Sequence, residues 1–194
     1  MPKVSHELPI NMLSRSYDIN DYEYCLPHLL DQNEMYKKHF IKAKKDGRYI
    51  IMDNSLHELG EAYDTDRLLH WVHELEPNEF IVPDVWQDKM MGRIMTISKM
   101  YKSNIINKSD RVHLLGCALP QEFRYYGDFP FIESIDTSNP IIHGLEGIKY
   151  SSNGLYTKSS TKIDKVSIIS LTPKILYNIH HNITQFKKYL NDDK

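Results

Sequence analysis

Three short apolar runs that each stop at a carboxylate constrain this chain more than any other feature. They are Tyr49-Ile50-Ile51-Met52-Asp53, Phe80-Ile81-Val82-Pro83-Asp84 and Phe131-Ile132-Glu133-Ser134-Ile135-Asp136. The first shows no alternation of apolar and polar residues, so it reads as a strand buried on both faces. Strands of that kind belong to parallel sheets, and parallel neighbours need helical crossovers. Strand–helix alternation does recur from residue 49 to 145. The expected fold class is therefore α/β with parallel strands. Asp53, Asp84 and Asp136 would lie at the C-terminal strand edge, where such folds usually place their chemistry.

Helical spacing is clearest in three places. Residues 32–45 bring Met35, Tyr36, His39, Phe40 and Ala43 together. Lys37, Lys38, Lys42, Lys44 and Lys45 then form a solvated face, and Asp46-Gly47 ends the helix with a residue suited to a left-handed cap. Asp64-Thr65-Asp66 offers N-caps for a helix to Leu75, with Leu68, Leu69, Val72 and Leu75 on one face. Pro173 fits the first turn of a terminal helix to about Leu190, with Ile175, Leu176, Ile179, Ile183, Phe186 and Leu190 on one face. Residues 54–63 read as a loop or short helix, and 86–106 and 120–126 as further helices. Met90, Met91, Met95 and Met100 are core filling rather than a ligand box. Residues 79–82 and 112–115 read as strands, as do 10–13. Residues 17–30 are aromatic and acidic and are broken at Pro27; 137–140 form a turn. Residues 147–165 are irregular and are expected to be a mobile loop over the site, and 166–170 are a last strand or the lead into the terminal helix.

At 194 residues, 41% hydrophobic and 26% charged, the chain suits one globular domain, 1–194, without internal repeat or linker. A net charge of -2 excludes a domain that binds nucleic acid by charge alone, although a local basic face stays open. Two distant cysteines, Cys25 and Cys117, exclude a disulfide framework and a four-cysteine zinc site. They read as buried free thiols of a protein in a reducing cytoplasm. The first residues are too polar for a signal peptide, and no run approaches ~18 apolar residues, so no membrane association is expected.

A carboxylate at a strand end can be a nucleophile, a general acid or base, a metal ligand, or an acceptor for a ligand's donors. It can also simply cap a helix or make a turn. No H-x-H, H-E-x-x-H or D-x-D-x-D-G spacing lies near the three aspartates. His180 and His181 are adjacent, so on a helix they point about 100° apart. No metal is expected. Glycosyl chemistry suits the set better. Cleavage at an anomeric carbon passes through an oxocarbenium-like state, which one carboxylate can attack while another moves a proton. A third, at Asp84, would accept N–H bonds from a guanine-type base.

Four segments resemble motifs of one family. Met52-Asp53-Asn54-Ser55-Leu56-His57-Glu58-Leu59-Gly60 resembles the D-N-G-A-F-E-x-G motif of the tRNA-guanine transglycosylase superfamily. Val82-Pro83-Asp84, His113-Leu114-Leu115-Gly116-Cys117-Ala118-Leu119-Pro120-Gln121-Glu122 and Ser134-Ile135-Asp136-Thr137-Ser138-Asn139-Pro140 resemble its "(L)PD", "H-L-L-G-x-x-x-P-x-E" and "S-[IV]-D-[ST]-S-x-P" segments, in the same order. The nearest branch is that of phage and bacterial DNA-modifying members, which exchange guanine for a 7-deazaguanine. The resemblance implies a compact or incomplete (β/α)8 TIM-like barrel, since a closed one usually needs ~200 residues or more. It implies Asp136 as nucleophile at C1′, Asp53 as general acid/base at the leaving base, and Asp84 reading the base edge. Asn54, Ser55, Glu58, Gly116, Cys117 and Ser138 would bind substrate, Gly116 through close backbone approach. No cofactor is implied.

The sequence departs from the family in three ways. Ser55 replaces the usual glycine, where a side chain would narrow the base pocket, and His57 replaces an aromatic. The zinc subdomain of the tRNA enzymes, with three Cys and a His, has no counterpart among two cysteines. The chain is also short. Together these favour DNA over tRNA, or a free nucleotide, as the partner of a modified-base substrate, in the host cytoplasm if phage-encoded. Two alternatives stand beside transfer: an N-glycosidase, in which water resolves the intermediate, and a non-catalytic nucleotide-binding or interaction protein on the same fold.

Overall fold

The computed structural model describes residues 2–61, 63–80, 97–98, 100–104, 107–109, 111–117, 119, 129–152, 156–166 and 169–190, the side chains of Phe80, Asp164 and Lys165 aside. The strands in chain order are β1 (Lys3–Ser5), β2 (Glu23–Cys25), β3 (Ile50–Met52), β4 (Glu79–Phe80), β5 (Val112–Leu114) and β6 (Ile132–Asp136). The α-helices are α1 (Ser16–Ile19), α2 (Pro27–Gln32), α3 (Glu34–Lys45), α4 (Leu56–Leu59), α5 (Thr65–Leu75), α6 (Asn139–Leu145) and α7 (Pro173–Tyr189). The fold is mixed α/β, with parallel strands in two three-stranded sheets ordered β2-β3-β4 and β1-β6-β5. The described residues gather into two compact units, taken in turn below. Among them, no helix is long and apolar enough to cross a membrane.

One unit spans Ser5–Asp84 with Thr161–Ile169. Strand β3 lies at the centre of its sheet, parallel to β2 and β4, and Ile50, Ile51 and Met52 are all buried. A central strand covered on both faces needs no alternation, which is why its sequence shows none. Helix α3 packs on α2, α5 and β2 through Tyr36, Phe40 and Ala43. Its N-cap is Asn33, whose side chain accepts from the backbone of Met35 and Tyr36 at 3.0 Å. Gly47, at φ 71, follows its C-terminal end. Met35, expected inside, is exposed.

Helix α5 starts at Asp64 as expected, but its buried stripe is Leu68, Trp71 and Leu75. Leu69 is 47% exposed. Trp71 turns the stripe because its Nε1 donates to Asp31 at 3.0 Å. Residues 10–13 are not a strand. They begin a 3-10 helix, Ile10–Arg15, entered from Pro9, and bury the adjacent pair Met12 and Leu13, which an alternating strand cannot do on one face. Pro27 divides its segment as expected, with β2 before it, and it opens α2, where its missing N–H costs nothing. Four of the five lysines of α3 form ion pairs. Lys37 and Lys38 reach Glu34, Lys42 reaches Asp46, and Lys44 reaches Glu76.

The other unit spans Met1–Val4, Val85–Ser160 and Ser170–Lys194. Its core joins Val4, Ile97, Leu114, Phe131, Ile132, Ile135, Tyr150 and Phe186, with Met100 packed against it. Helix α7 is capped by Thr172, carries Pro173 in its first turn and buries Ile179, Ile183 and Phe186, as its spacing predicts. Residues 137–140, expected as a turn, instead lead into α6. Asn139-Pro140 is its first turn, which the same residues also suit. Residues 147–165 are tied down at several points. Tyr150 N–H donates to Asn182 at 2.8 Å, His181 Nε2 lies 2.8 Å from the Tyr150 carbonyl, and the Tyr150 and Tyr156 rings stack at 4.2 Å. Val166 closes a 3-10 turn, Ile163–Val166, of the first unit. The expected helix 120–126, the greater part of helix 86–106 and residues 81–82 lie outside the described residues.

Helices α6 and α7 meet at Gly144. A Cβ there would stand 2.5 Å from Ile179 Cγ1 and 2.8 Å from the Ile179 backbone. Backbone cannot yield as a flexible side chain can. Gly144→Ala is therefore expected to cost about 2–3 kcal/mol, read as a lower urea midpoint at unchanged slope. An unchanged midpoint would show that the two helices can part freely.

Candidate functional site

Strand β6 ends on Asp136, which is 1% exposed. Its register with β5 holds one irregularity: Val112 lies opposite Ile132, but His113 lies opposite Ser134 and Leu114 opposite Ile135. Glu133 is thus the extra residue of a β-bulge, which re-aims the side chains beyond it. Glu133 itself points toward solvent and pairs with Lys3 at 3.5 Å. Past the bulge, His113, Ser134 and Asp136 converge.

His113 Nε2 lies 3.1 Å from Asp136 Oδ1, and Nδ1 lies 2.8 Å from Ser134 Oγ. An ionised carboxylate only accepts, so Nε2 carries the proton. In a neutral ring Nδ1 then accepts from the Ser134 hydroxyl. Gly116, at φ 58, turns the chain just beyond β5, and its N–H donates to the same Oδ1 at 3.0 Å. Cys117 N–H continues the ladder to the Asp136 carbonyl at 2.9 Å. Two donors on one oxygen offset the desolvation of the carboxylate and fix its plane. The Cys117 side chain belongs to the core cluster, and both cysteines are buried free thiols. Ser138 is half-buried and caps α6 through its carbonyl, which accepts from Ile141 and Ile142 at 3.0 Å.

The second strand end belongs to the other unit. Asp53 follows β3, is 8% exposed, and continues the ladder with its N–H on the Cys25 carbonyl at 2.8 Å. Asn54 Oδ1 accepts from Leu56 N–H at 3.0 Å and so shapes the entry to α4. Ser55 is wholly buried and left-handed, with φ 57 and ψ 16. Its Oγ lies 2.7 Å from His28 Nδ1 and accepts from His28 N–H at 3.4 Å. The hydroxyl is directed to the start of α2. Glu58 is half-buried on α4, and its carbonyl accepts from Lys162 Nζ at 2.6 Å. Asp84 lies outside the described residues.

The Ser55 geometry sets two small effects against each other. A left-handed non-glycine residue costs about 1–2 kcal/mol, and a hydrogen bond returns about 0.5–1.5 kcal/mol. Ser55→Gly is expected to stay within about 1 kcal/mol of the parent, whereas Ser55→Ala, which keeps the strain and loses the bond, falls by about 1–2 kcal/mol. Urea unfolding of both variants checks the order. An alanine variant at least as stable as the glycine variant would contradict it.

At the opposite, N-terminal end of β2, Glu23 is 1% exposed. It accepts from Ser16 Oγ, lies 3.0 Å from His39 Nε2, and accepts from Arg48 Nε and Nη2 at 3.2 and 3.0 Å. Burial pushes its carboxyl up, but the bonds from His39, Ser16 and Arg48 outweigh this and hold it below its ordinary value. Lying at the far edge of its sheet from Asp53, this cluster is a structural tie. Among the described residues, no three His, Cys, Asp or Glu side chains gather as a metal site.

The structure thus brings Asp136, Gly116 and Cys117 together, and separately Asp53, Asn54 and Ser55. Sequence reasoning missed His113, Ser134 and His28 as partners. The first two stood within the quoted motifs, and Ser134 shares the i, i+2 spacing with Asp136 that marks one strand face. His28 carries no such signal, being 27 positions from Ser55. Comparison of the chain with protein-family models, curated proteins and solved structures gives no match.

Proposed function

We propose that the chain is a nucleic-acid base transglycosylase that exchanges guanine for a 7-deazaguanine-type base, on DNA in preference to tRNA. The observation that carries the reading is the setting of Asp136: a buried carboxylate at a strand end, with one oxygen held by His113 and by the Gly116 N–H. Pinning Oδ1 orients Oδ2 as the attacking oxygen. A second observation supports it. Ser55 occupies the position where the resembled motif carries glycine, and its backbone is left-handed, the conformation glycine tolerates best. The compact or incomplete (β/α)8 barrel expected with this activity is supported by parallel pairing within each sheet.

In this mechanism Asp136 Oδ2 bonds to C1′ as the C1′–N glycosidic bond breaks. The bond's electron pair passes to the base nitrogen, which takes a proton from a general acid, the role that the resembled motif gives to Asp53. The incoming base then attacks C1′, expels the Asp136 carboxylate and returns its N–H proton to the general acid/base. His113, fixed by Ser134, keeps the nucleophile's plane constant through both steps. Asp84 reads the base edge, with Asn54, Glu58 and Ser138 as further substrate contacts. Positioned carboxylates suffice for this chemistry, without a cofactor. Mass spectrometry of nucleosides, after incubation with DNA, tRNA or free nucleotides and candidate 7-deazaguanine bases, tests the reading. Incorporation supports it. A released base without incorporation assigns an N-glycosidase, and neither product leaves a binding protein.

A further inference from the structure

Lys158 is exposed and has no ion pair or hydrogen bond among the described residues. Its ammonium stands 3.8 Å from the point where a Cβ on Gly116 would be. It therefore overhangs the turn whose N–H holds Asp136. The placement is built from α6. The Asn139 side chain bonds both neighbours of Lys158, its Oδ1 accepting from Ser159 N–H at 3.0 Å and its Nδ2 donating to the Thr157 carbonyl at 3.4 Å. Ser159 Oγ adds a bond to Glu146 at 3.0 Å. Asn139 is 2% exposed and lies three residues after Asp136, so one buried amide sets the cation relative to the carboxylate.

We propose that Lys158 is the phosphate contact of this site, engaging a phosphate of the nucleotide bound at Asp136. An exposed ammonium with no pair among the described residues, beside a turn that presents backbone and no side chain, suits an oxyanion, and lysine binds phosphate as a point charge. The two carboxylates of the reaction supply no positive charge, so a polyanionic substrate needs such a group close by. Lys158 is a positioning residue in this role: it holds the substrate and takes no part in bond exchange. The inference rests on the nucleotide reading above.

Calorimetric titration of the full chain separates the possibilities, using deoxyguanosine, its 5′-monophosphate and a single-stranded oligonucleotide as ligands. Lys158→Met is expected to weaken the monophosphate about tenfold while leaving the nucleoside unchanged, and Lys158→Arg to restore most of the loss. For the oligonucleotide, the slope of log affinity against log salt should shrink by about one. Loss confined to the oligonucleotide would assign the backbone phosphate of a polymer, and loss with the monophosphate a 5′-phosphate. Equal effects on nucleoside and monophosphate, or none, would overturn the Lys158 assignment while leaving the transglycosylase reading intact. Inorganic phosphate supplies the converse control. If it shifts the Gly116 amide resonance in the parent and not in Lys158→Met, the phosphate site stands even when no nucleoside binds. Failure of every ligand and of phosphate overturns both.

Discussion

Asp136→Asn is expected to retain the fold and lose turnover by roughly four orders of magnitude or more. Asparagine keeps an accepting oxygen where Oδ1 now receives His113 and Gly116, so the local hydrogen bonds survive. It loses the anionic oxygen that attacks C1′ in the proposed mechanism, and a neutral amide is a poor nucleophile. The unfolding midpoint should move little, because the substitution removes a desolvated charge as well as the charge-assisted part of two bonds. Intact-protein mass spectrometry adds an independent readout. The parent should accumulate a glycosyl adduct when the incoming base is withheld, and the variant should not. Full activity in Asp136→Asn would end the nucleophile assignment whatever the substrate proves to be.

The largest expected loss of stability lies at the Glu23 cluster. Arg48→Met removes two hydrogen bonds to Glu23, a third to the Asn20 carbonyl and a permanent positive charge beside Glu23, leaving a carboxylate buried at 1% exposure with His39 and Ser16 as its partners among the described residues. Breaking such a pair from one side costs about 3–5 kcal/mol, and the surviving partners place this case near 3. The pH dependence follows from the direction of the Glu23 shift. Its folded-state value lies below the ordinary carboxyl value. The stabilisation is therefore complete above the unfolded value of about 4.3 and is lost as pH falls through the lower folded value. In Arg48→Met the folded value rises, so acid unfolding should begin at a higher pH than in the parent. Urea titrations from pH 3 to 7 measure both effects. A parent and variant with parallel pH profiles would show that Arg48 adds nothing to the hold of His39 and Ser16 on the carboxyl.

The elements legible in the sequence were those specified locally. Helices α3, α5 and α7 each carry a side-chain cap, at Asn33, Asp64 and Thr172, and a repeating apolar face. Strand β3 was legible because burial on both faces leaves an unmixed apolar run. What escaped was specified at a distance. Strand β2 begins with Glu23, an acid that a buried strand tolerates only because Ser16, His39 and Arg48 converge on it from other elements. The 3-10 helix at Ile10–Arg15 and helix α6 were misjudged because short apolar runs and Ser-Asn-Pro each suit two conformations, and tertiary packing chooses between them.

The site divides in the same way. Asp53 and Asp136 could be placed from strand ends alone. The contact of His113 with Asp136 depends on a bulge at Glu133 that shifts the register by one residue, and no periodicity announces it. Likewise Ser55 announced an unusual side chain but not its left-handed backbone or its bond to His28. Lys158 belonged to a basic stretch, Lys158–Lys165, that left a phosphate-contacting face open without placing it.

The clamp at Asn139 has a consequence for how this chain can diverge. The strap that carries Lys158 is fastened by Asn139 on both sides of the lysine, while its upstream anchor, Tyr150, is fastened separately by Asn182 and His181. Relatives could therefore exchange residues, or even length, between these anchorages without retuning the distance from cation to carboxylate. Under the proposed reading, such exchanges would alter substrate preference and leave the position of the charge in place.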